Sequence, residues 1–239
     1  MTSVEGRLAE LARRYELSTR AVGALRALLA ELAADERAPS GVRQIDQAVD
    51  VHVADSLEAL AVPGVRTAAA IADVGAGAGF PGLAIAAALP QARVFLVESA
   101  ARKVAFMARA ADLAGLSNAS PVLGRVEGWA AGKDACDVVL ARAVGPLAVL
   151  AEYAAPLLRL GGTLVAWKGA PDQAEEAAGE LAAGELGLAS RGVLRVEPFP
   201  GVRHRTLYLY EKVRATPDRF PRRPGVARKR PLGSDRRSR

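Results

Sequence analysis

Residues 71–82 read Ile-Ala-Asp-Val-Gly-Ala-Gly-Ala-Gly-Phe-Pro-Gly, and residues 93–98 read Arg-Val-Phe-Leu-Val-Glu. An apolar run ends in Asp73, a glycine-dense turn follows, and a second apolar run ends in Glu98. The pattern is a strand, a tight turn, a helix, and a second strand closed by an acid. That arrangement suits an adenosine-containing cofactor. The glycines let the backbone approach the ligand closely, and the acid accepts hydrogen bonds from the ribose hydroxyls.

The spacing decides which cofactor to expect. Gly77, Gly79 and Gly82 satisfy G-x-G-x-x-G, the dinucleotide pattern. In that fingerprint, however, the first glycine directly follows the strand. Here that glycine is Gly75, which gives G-x-G-x-G, with Pro81 at the first turn of the helix. Asp73 stands just before the loop. Two acids around a loop without a diphosphate cradle suit S-adenosylmethionine, a cationic sulfonium that carries no phosphate. A nicotinamide cofactor is the alternative. A turn that binds nothing is disfavoured, because four glycines within residues 75–82 cost chain entropy on folding.

The 239 residues allow one large domain, or one domain with an appendage, and a hydrophobic content of 51% supplies a core. No run approaches the roughly 18 apolar residues of a membrane span. A basic-then-apolar signal segment is missing from the N-terminus. The single cysteine, Cys136, excludes an internal disulfide and a cysteine-based zinc cluster, so no metal is expected. Cys136 opens the run Cys-Asp-Val-Val-Leu and reads as a buried strand residue. The expected location is the cytoplasm, with a monomer favoured.

The net charge of +6 is unevenly placed. Residues 216–239 hold nine Lys or Arg and two Asp or Glu, a net of +7, which leaves the remainder at −1. A near-neutral body with a cationic arm implies a polyanionic partner; a solvated tail is the bland alternative. Pro217, Pro221, Pro224 and Pro231 punctuate this segment and suggest an extended arm on the surface.

Apolar periodicity predicts one helix over residues 5–35 and a second over 43–60, separated by Ala38-Pro-Ser-Gly41. Strands are expected near 69–74, 92–98, 119–123, 136–142 and 162–168, with helices near 81–89, 100–115, 146–159 and 171–186. Such alternation implies a parallel sheet covered on both faces. Residues 189–199 and 205–213 have no helix between them and should pair as an antiparallel hairpin at the sheet edge. The expected organisation is a helical cap over 1–64, a Rossmann-like α/β domain over 65–215 with a mostly parallel seven-stranded sheet, and a basic tail over 216–239.

Several blocks in the same order resemble one family. They are His52-x-x-Asp55-Ser56-Leu57, the Asp73–Gly82 block, Leu96-Val-Glu-Ser99 with Arg102-Lys103, and Arg125-Val-Glu127. Ala141-Arg-Ala-Val144, Trp167-Lys-Gly169, Phe220-Pro-Arg-Arg-Pro-Gly225 and Lys229-Arg-Pro-Leu232 complete the series. Over roughly residues 45–233 the chain resembles the RsmG/GidB family of bacterial small-subunit rRNA guanine-N7 methyltransferases, class I enzymes that use S-adenosylmethionine. Two departures stand out. Ala38–Val42 occupies the place of a usual Asn-Leu-Thr segment, and Gly145 replaces a usual alanine. The resemblance implies methylation of guanine 527 in the 530 loop of 16S rRNA, with the small ribosomal subunit or its precursor as partner.

The resemblance also implies a cofactor site at Gly75, Phe80, Val126, Glu127 and Arg142, to which the residue pattern adds Asp73, Gly77 and Glu98. Val126 and Glu127 follow the third strand, where an adenine would lie; Glu127 could equally be a helix-start acid favoured by the dipole. Phe80 either packs under the helix or touches the donor. Arg142 ends the fourth strand on the ligand side of the sheet. It either pairs with Asp73 or Glu98, forks onto the methionine carboxylate, or holds the guanine through O6 or phosphate, since N7 must keep its lone pair. Lys168, Arg205, Arg222, Arg223, Lys229 and Arg230 are the candidate RNA contacts. His52 either meets a base or is satisfied by Asp55 or Asp50. Arg142, His52 and Lys168 are the positioning candidates.

Ala141-Arg-Ala-Val144 lacks the Asn/Asp-Pro-Pro-aromatic acceptors used for exocyclic amines, and Cys136 stands on the wrong side of its strand for C5 chemistry. A ring nitrogen already has a lone pair and needs neither a base nor a covalent intermediate. Direct in-line methyl transfer, driven mainly by alignment, follows. Two alternatives remain: a nicotinamide oxidoreductase, and a non-catalytic RNA-binding assembly factor.

Overall fold

The computed structural model describes residues 3–233. Residues 234–239, which hold three of the tail's basic residues, lie outside the described residues. The N-terminal section departs from the expected pair of continuous helices. Helix α1 (Val4–Tyr15) is capped by the Ser3 hydroxyl and ends at Glu16, whose φ of 57° is left-handed. Helix α2 (Thr19–Ala34) restarts under the Ser18 hydroxyl, which accepts from Ala21 N–H at 3.1 Å. The break therefore comes from a serine N-cap, with no glycine or proline to announce it. Past an irregular stretch, α3 (Ile45–Ala48) widens into a π-helical segment, Val49–Ala54. It narrows again through α4 (Asp55–Leu57) to a 3₁₀ turn, Glu58–Ala61.

The sheet follows the expectation closely. Its strands are β1 (Ala70–Val74), β2 (Arg93–Glu98), β3 (Ala119–Leu123), β4 (Cys136–Arg142), β5 (Leu158–Lys168), β6 (Leu188–Arg195) and β7 (Thr206–Lys212). Their order is β3-β2-β1-β4-β5-β7-β6. The first five are parallel, while β7 runs antiparallel to both β5 and β6. The hairpin thus inserts its second strand next to β5 and leaves its first at the edge. Helices α5 (Gly82–Ala88), α6 (Ala101–Leu113), α7 (Leu147–Ala154) and α8 (Gln173–Leu186) are the crossovers. β5 starts four residues earlier than expected, and α7 is correspondingly shorter. Leu158 already pairs with Cys136, and an irregularity in the register then lets the strand continue. Within it, Gly161 takes a φ of 78°.

Alternation along the strands separates two cores. Ile71, Val94, Leu96, Val138 and Leu140 pack with α1, α2, α5 and α6 on one face. Ala72, Val74, Val139, Ala141 and Leu164 pack with α7 and α8 on the other. Cys136 is fully buried at the start of β4, and burial pushes its thiol up to about 12. No helix among the described residues is long and apolar enough to cross a membrane.

The basic tail is not the extended surface arm expected from its prolines. Phe220 and Ala227 are buried, and a short helix α9 (Val226–Lys229) packs beside α7. The Arg222 guanidinium forks onto the Glu152 carboxylate, which is 0% exposed; Arg222 Nε donates to Oε1 at 2.8 Å and its Nη2 to Oε2. Arg222, a candidate RNA contact by sequence, is therefore committed to neutralising a buried acid. Arg222→Ala should leave that carboxylate uncompensated. The expected loss is about 2–3 kcal/mol, below the usual cost of breaking a fully buried pair because the guanidinium is a quarter exposed. Urea denaturation of the purified chain would measure it.

Candidate functional site

At the C-terminal end of β1 the chain turns across β2. Gly75 and Ala76 N–H both donate to Val97 O, at 2.8 and 3.2 Å. Gly75 has a φ of 69°, and a Cβ there would come within 2.8 Å of Val144. Only glycine lets this loop pass so close to the end of β4. The loop re-enters the fold at Gly82, whose N–H donates to Asp73 Oδ2 at 2.7 Å. A Cβ on Gly82 would strike the Leu96 side chain at 2.2 Å, so α5 must begin on a glycine.

The two acids around this loop have different environments. Asp73 is 1% exposed. Burial pushes its carboxyl up to about 7, against the Gly82 hydrogen bond and the Arg142 charge. Asp73 braces the neck of the loop and does not line the cleft beyond it, which corrects its place among the expected cofactor contacts. Glu98 stands at the mouth. Its oxygens accept from Ala100 N–H at 3.0 Å and Gly77 N–H at 3.2 Å, with Lys103 Nζ at 3.5 Å. Burial raises this carboxyl, but those donors more than offset it and hold it below its ordinary value.

A cleft of about 310 Å³ opens between the ends of β1, β2, β3 and β4. Gly75, Glu98, Val126 and Glu127 line it, together with Ser99, Lys103, Ala143, Val144, Tyr153 and Arg228. Gly77 reaches it only indirectly, through its hydrogen bond to Glu98. Phe80 and Arg142 lie outside that lining. Glu127 is neither a free ligand nor a simple helix-start acid, because its Oε1 accepts from Gly225 N–H of the tail at 2.8 Å. Ala143, between Arg142 and the cleft wall, takes a φ of 58°, a strained value for a residue with a Cβ.

Beside the cleft, Asp55 gathers two arginines. Arg142 Nη1 donates to Asp55 Oδ2 at 2.8 Å and to Val51 O at 3.2 Å. Arg205 Nε is 2.8 Å from Asp55 Oδ1, close but out of line for a hydrogen bond. The Asp55 side chain is 1% exposed, and its carbonyl accepts from the Trp167 indole at 3.1 Å. The ion pair of Arg142 is thus with Asp55, and neither Asp73 nor Glu98 takes part. The π-helical segment brings Val51 O and Asp55 onto the same guanidinium.

His52 is satisfied by neither Asp55 nor Asp50. Asp50 is bonded to Arg7 at 2.7 Å. His52 Nε2 faces Ser40 Oγ at 2.8 Å and Val42 O at 3.2 Å, and the ring stacks on Phe80 at 5.0 Å and 18°. A carbonyl only accepts, so Nε2 carries the hydrogen. Nδ1 is buried with no partner. The Ala38–Val42 stretch, which departs from the family pattern, is what covers this ring.

Lys168 is bonded to Glu175 at 2.5 Å and to Gly145 O at 3.3 Å. Arg223, Lys229 and Arg230 are exposed, with no side-chain partner among the described residues. Arg195, Arg203, His204 and Arg205 line a groove of about 640 Å³ at the end of the hairpin. Sequence reasoning missed Arg195 and Arg203, because their convergence depends on the β6–β7 pairing. It missed Tyr153 and Arg228 for the same reason: their place at the cleft follows from the docking of the tail on α7.

Two titrations test this geometry. Burial and the Arg142 charge push His52 down to about 4, so its ring should stay neutral through pH 5. With only two histidines in the chain, proton NMR of the ring resonances would resolve it. Asp73, raised in the fold, keeps its proton up to about pH 7, whereas the unfolded chain releases it near pH 4. Its contribution to stability therefore falls as pH rises through that window. His52 acts in the opposite direction below its unfolded value. Comparing Asp73→Asn with the parent at each pH isolates the acid, and the variant's stability gain should grow from pH 4 to 7 in urea titrations.

A family model described as rRNA small subunit methyltransferase G (GidB) matches residues 21–190. The chain is 44% identical over 198 residues to the ribosomal RNA small subunit methyltransferase G of Rubrobacter xylanophilus, covering 80% of this chain and 76% of that one. It is 43% identical to the Deinococcus deserti protein of the same name, covering 76% and 75%. Solved structures share the fold at low identity. A branched-chain polyamine synthase mutein from Thermus thermophilus aligns at TM-score 0.60 and 18% identity, over 82% of this chain and 65% of that one. A SAM-dependent methyltransferase from Aquifex aeolicus aligns at 0.56 and 15%, over 70% and 93%.

Proposed function

The chain belongs to the rRNA small subunit methyltransferase G family, and from that premise we propose that it methylates N7 of guanine 527 in 16S rRNA, using S-adenosylmethionine. The observation that carries the reading is the cleft in which Gly75, Glu98, Val126 and Glu127 converge. An adenosine fits that donor set. Glu98 offers carboxylate oxygens to ribose hydroxyls, Val126 an apolar wall, and Gly75 a backbone that nothing with a Cβ could bring so near Val144. When bound, the sulfonium supplies an electrophilic methyl group.

The protein's own contribution is alignment and charge. Glu98 and Glu127 place carboxylates along the cleft, which tolerates a cationic donor. Arg142 carries a full positive charge beside it, but Asp55 balances that charge at 2.8 Å and limits its repulsion of the sulfonium. Guanine N7 attacks with its own lone pair, so no general base is required. Holding the two reactants in line can supply about 7–11 kcal/mol of the barrier reduction. RNA phosphates would be met by Arg195, Arg203 and His204 along the hairpin groove, and by Arg223, Lys229 and Arg230 on the tail.

The direct test is transfer of label from methyl-tritiated S-adenosylmethionine into small-subunit rRNA. The label should appear as 7-methylguanine, located by chemical cleavage at nucleotide 527. Label found only in another base would reject the assignment. In calorimetry with S-adenosylhomocysteine, Glu98→Ala should weaken binding by about ten- to a hundred-fold, the scale of a lost hydrogen-bonding charge at a ligand.

A further inference from the structure

The charge of the tail points to RNA, yet its Arg228 lines the cleft. Four anchors fix it there. Phe220 is buried, Arg222 is forked onto Glu152, and Gly225 N–H donates to Glu127 Oε1. Ala227, 1% exposed, packs on Val149 and Tyr153. Gly225 takes a φ of 84°, which turns the chain into α9 and carries Arg228 to the rim of the cleft. Arg228 Nη2 donates to Val144 O at 3.3 Å. That bond commits one of the five N–H donors of its guanidinium.

Resting on the donor-site reading above, we propose that residues 220–230 are the closing wall of the donor cleft and that the Arg228 guanidinium is a donor-binding group at its adenine end. The surroundings select that end. Arg228 shares the cleft wall with Val126, Glu127, Val144 and Tyr153, which follow β3 and β4. Adenine is neutral and flat, and a planar guanidinium stacks on such a ring. An apolar wall of Val126 and Val144 would meet the ring elsewhere. Arg228 is exposed, as are the next two residues Lys229 and Arg230, but of the three only Arg228 lines the cleft.

Calorimetry on the full chain tests the assignment, with S-adenosylhomocysteine and 5′-methylthioadenosine as probes; the second lacks the amino-acid carboxylate. The parent should bind both, and a parent that binds neither would sink the donor-site reading itself. Given parent binding, Arg228→Ala should weaken both ligands by about ten-fold with the thermal midpoint unchanged. Arg228→Lys should recover little, because an ammonium has no plane to stack. Arg219→Ala, just before that segment, paired with Glu185 and lying over the ring of Phe220, should bind like the parent. Unchanged affinities in Arg228→Ala would overturn the proposal. A loss confined to S-adenosylhomocysteine would also overturn it, by assigning the guanidinium to the carboxylate. A midpoint lowered as far as in Arg222→Ala would show a structural role instead.

Discussion

A carboxylate buried between two guanidiniums holds the functional half of this molecule together. Removing an acid like Asp55 from water costs several kcal/mol unless its charge is matched and its oxygens are occupied. Arg142 from the end of β4 and Arg205 just before β7 supply the match, and the Trp167 indole of β5 takes the carbonyl of the same residue. One residue of the N-terminal section is thereby tied to three strands at the edge where ligands bind. Asp55 opens α4 directly after the π-helical segment that carries Val51, and Val51 O and the Asp55 carboxylate both meet Arg142 Nη1. Local irregularity in a helix at such a position is a recurrent device of functional sites.

The same edge shows why two acids at equivalent strand ends do different work. Asp73 and Glu98 close adjacent parallel strands. Asp73 is buried with one backbone N–H donor, so its proton is held to near neutral pH, and it serves the loop as a brace. Glu98 has two backbone N–H donors and a lysine, so it stays charged at the mouth of the cleft. The difference lies in the number of donors and in access to solvent. Strand position alone would have made them interchangeable.

That contrast also explains what was legible in the sequence. Strand alternation, the glycine block and the closing hairpin are local patterns, and the sheet follows them. The helix break at Glu16 was hidden because Ser18 caps the next helix without a glycine or proline. The partners of Arg142 and Arg222 were hidden because Asp55 and Glu152 lie far from them along the chain. Ser40, near His52 in sequence, was hidden because the irregular stretch before α3 has no periodicity to place it. For the same reason Asp73 looked like a ligand: its distance from the cleft depends on where the loop turns back, at Gly82.

The tail carries this lesson furthest. Its composition argues for a polyanion, and its prolines argue for an extended arm on the surface. Both inferences treat the arginines as equivalent. In the fold they divide by direction. Arg222 reaches inward to a fully buried acid, Arg228 is exposed at the rim of the cleft, and Arg223, Lys229 and Arg230 are exposed outside its lining. A buried carboxylate such as Glu152 is tolerable only while its guanidinium is in place, so the inward charge keeps the outward charges at a fixed distance from the cleft. A segment anchored in this way would present its outward cations to RNA from a defined position beside the cleft. A disordered arm of equal charge would attract RNA without orienting a guanine toward the methyl group, and alignment is the part of this chemistry that the protein must supply.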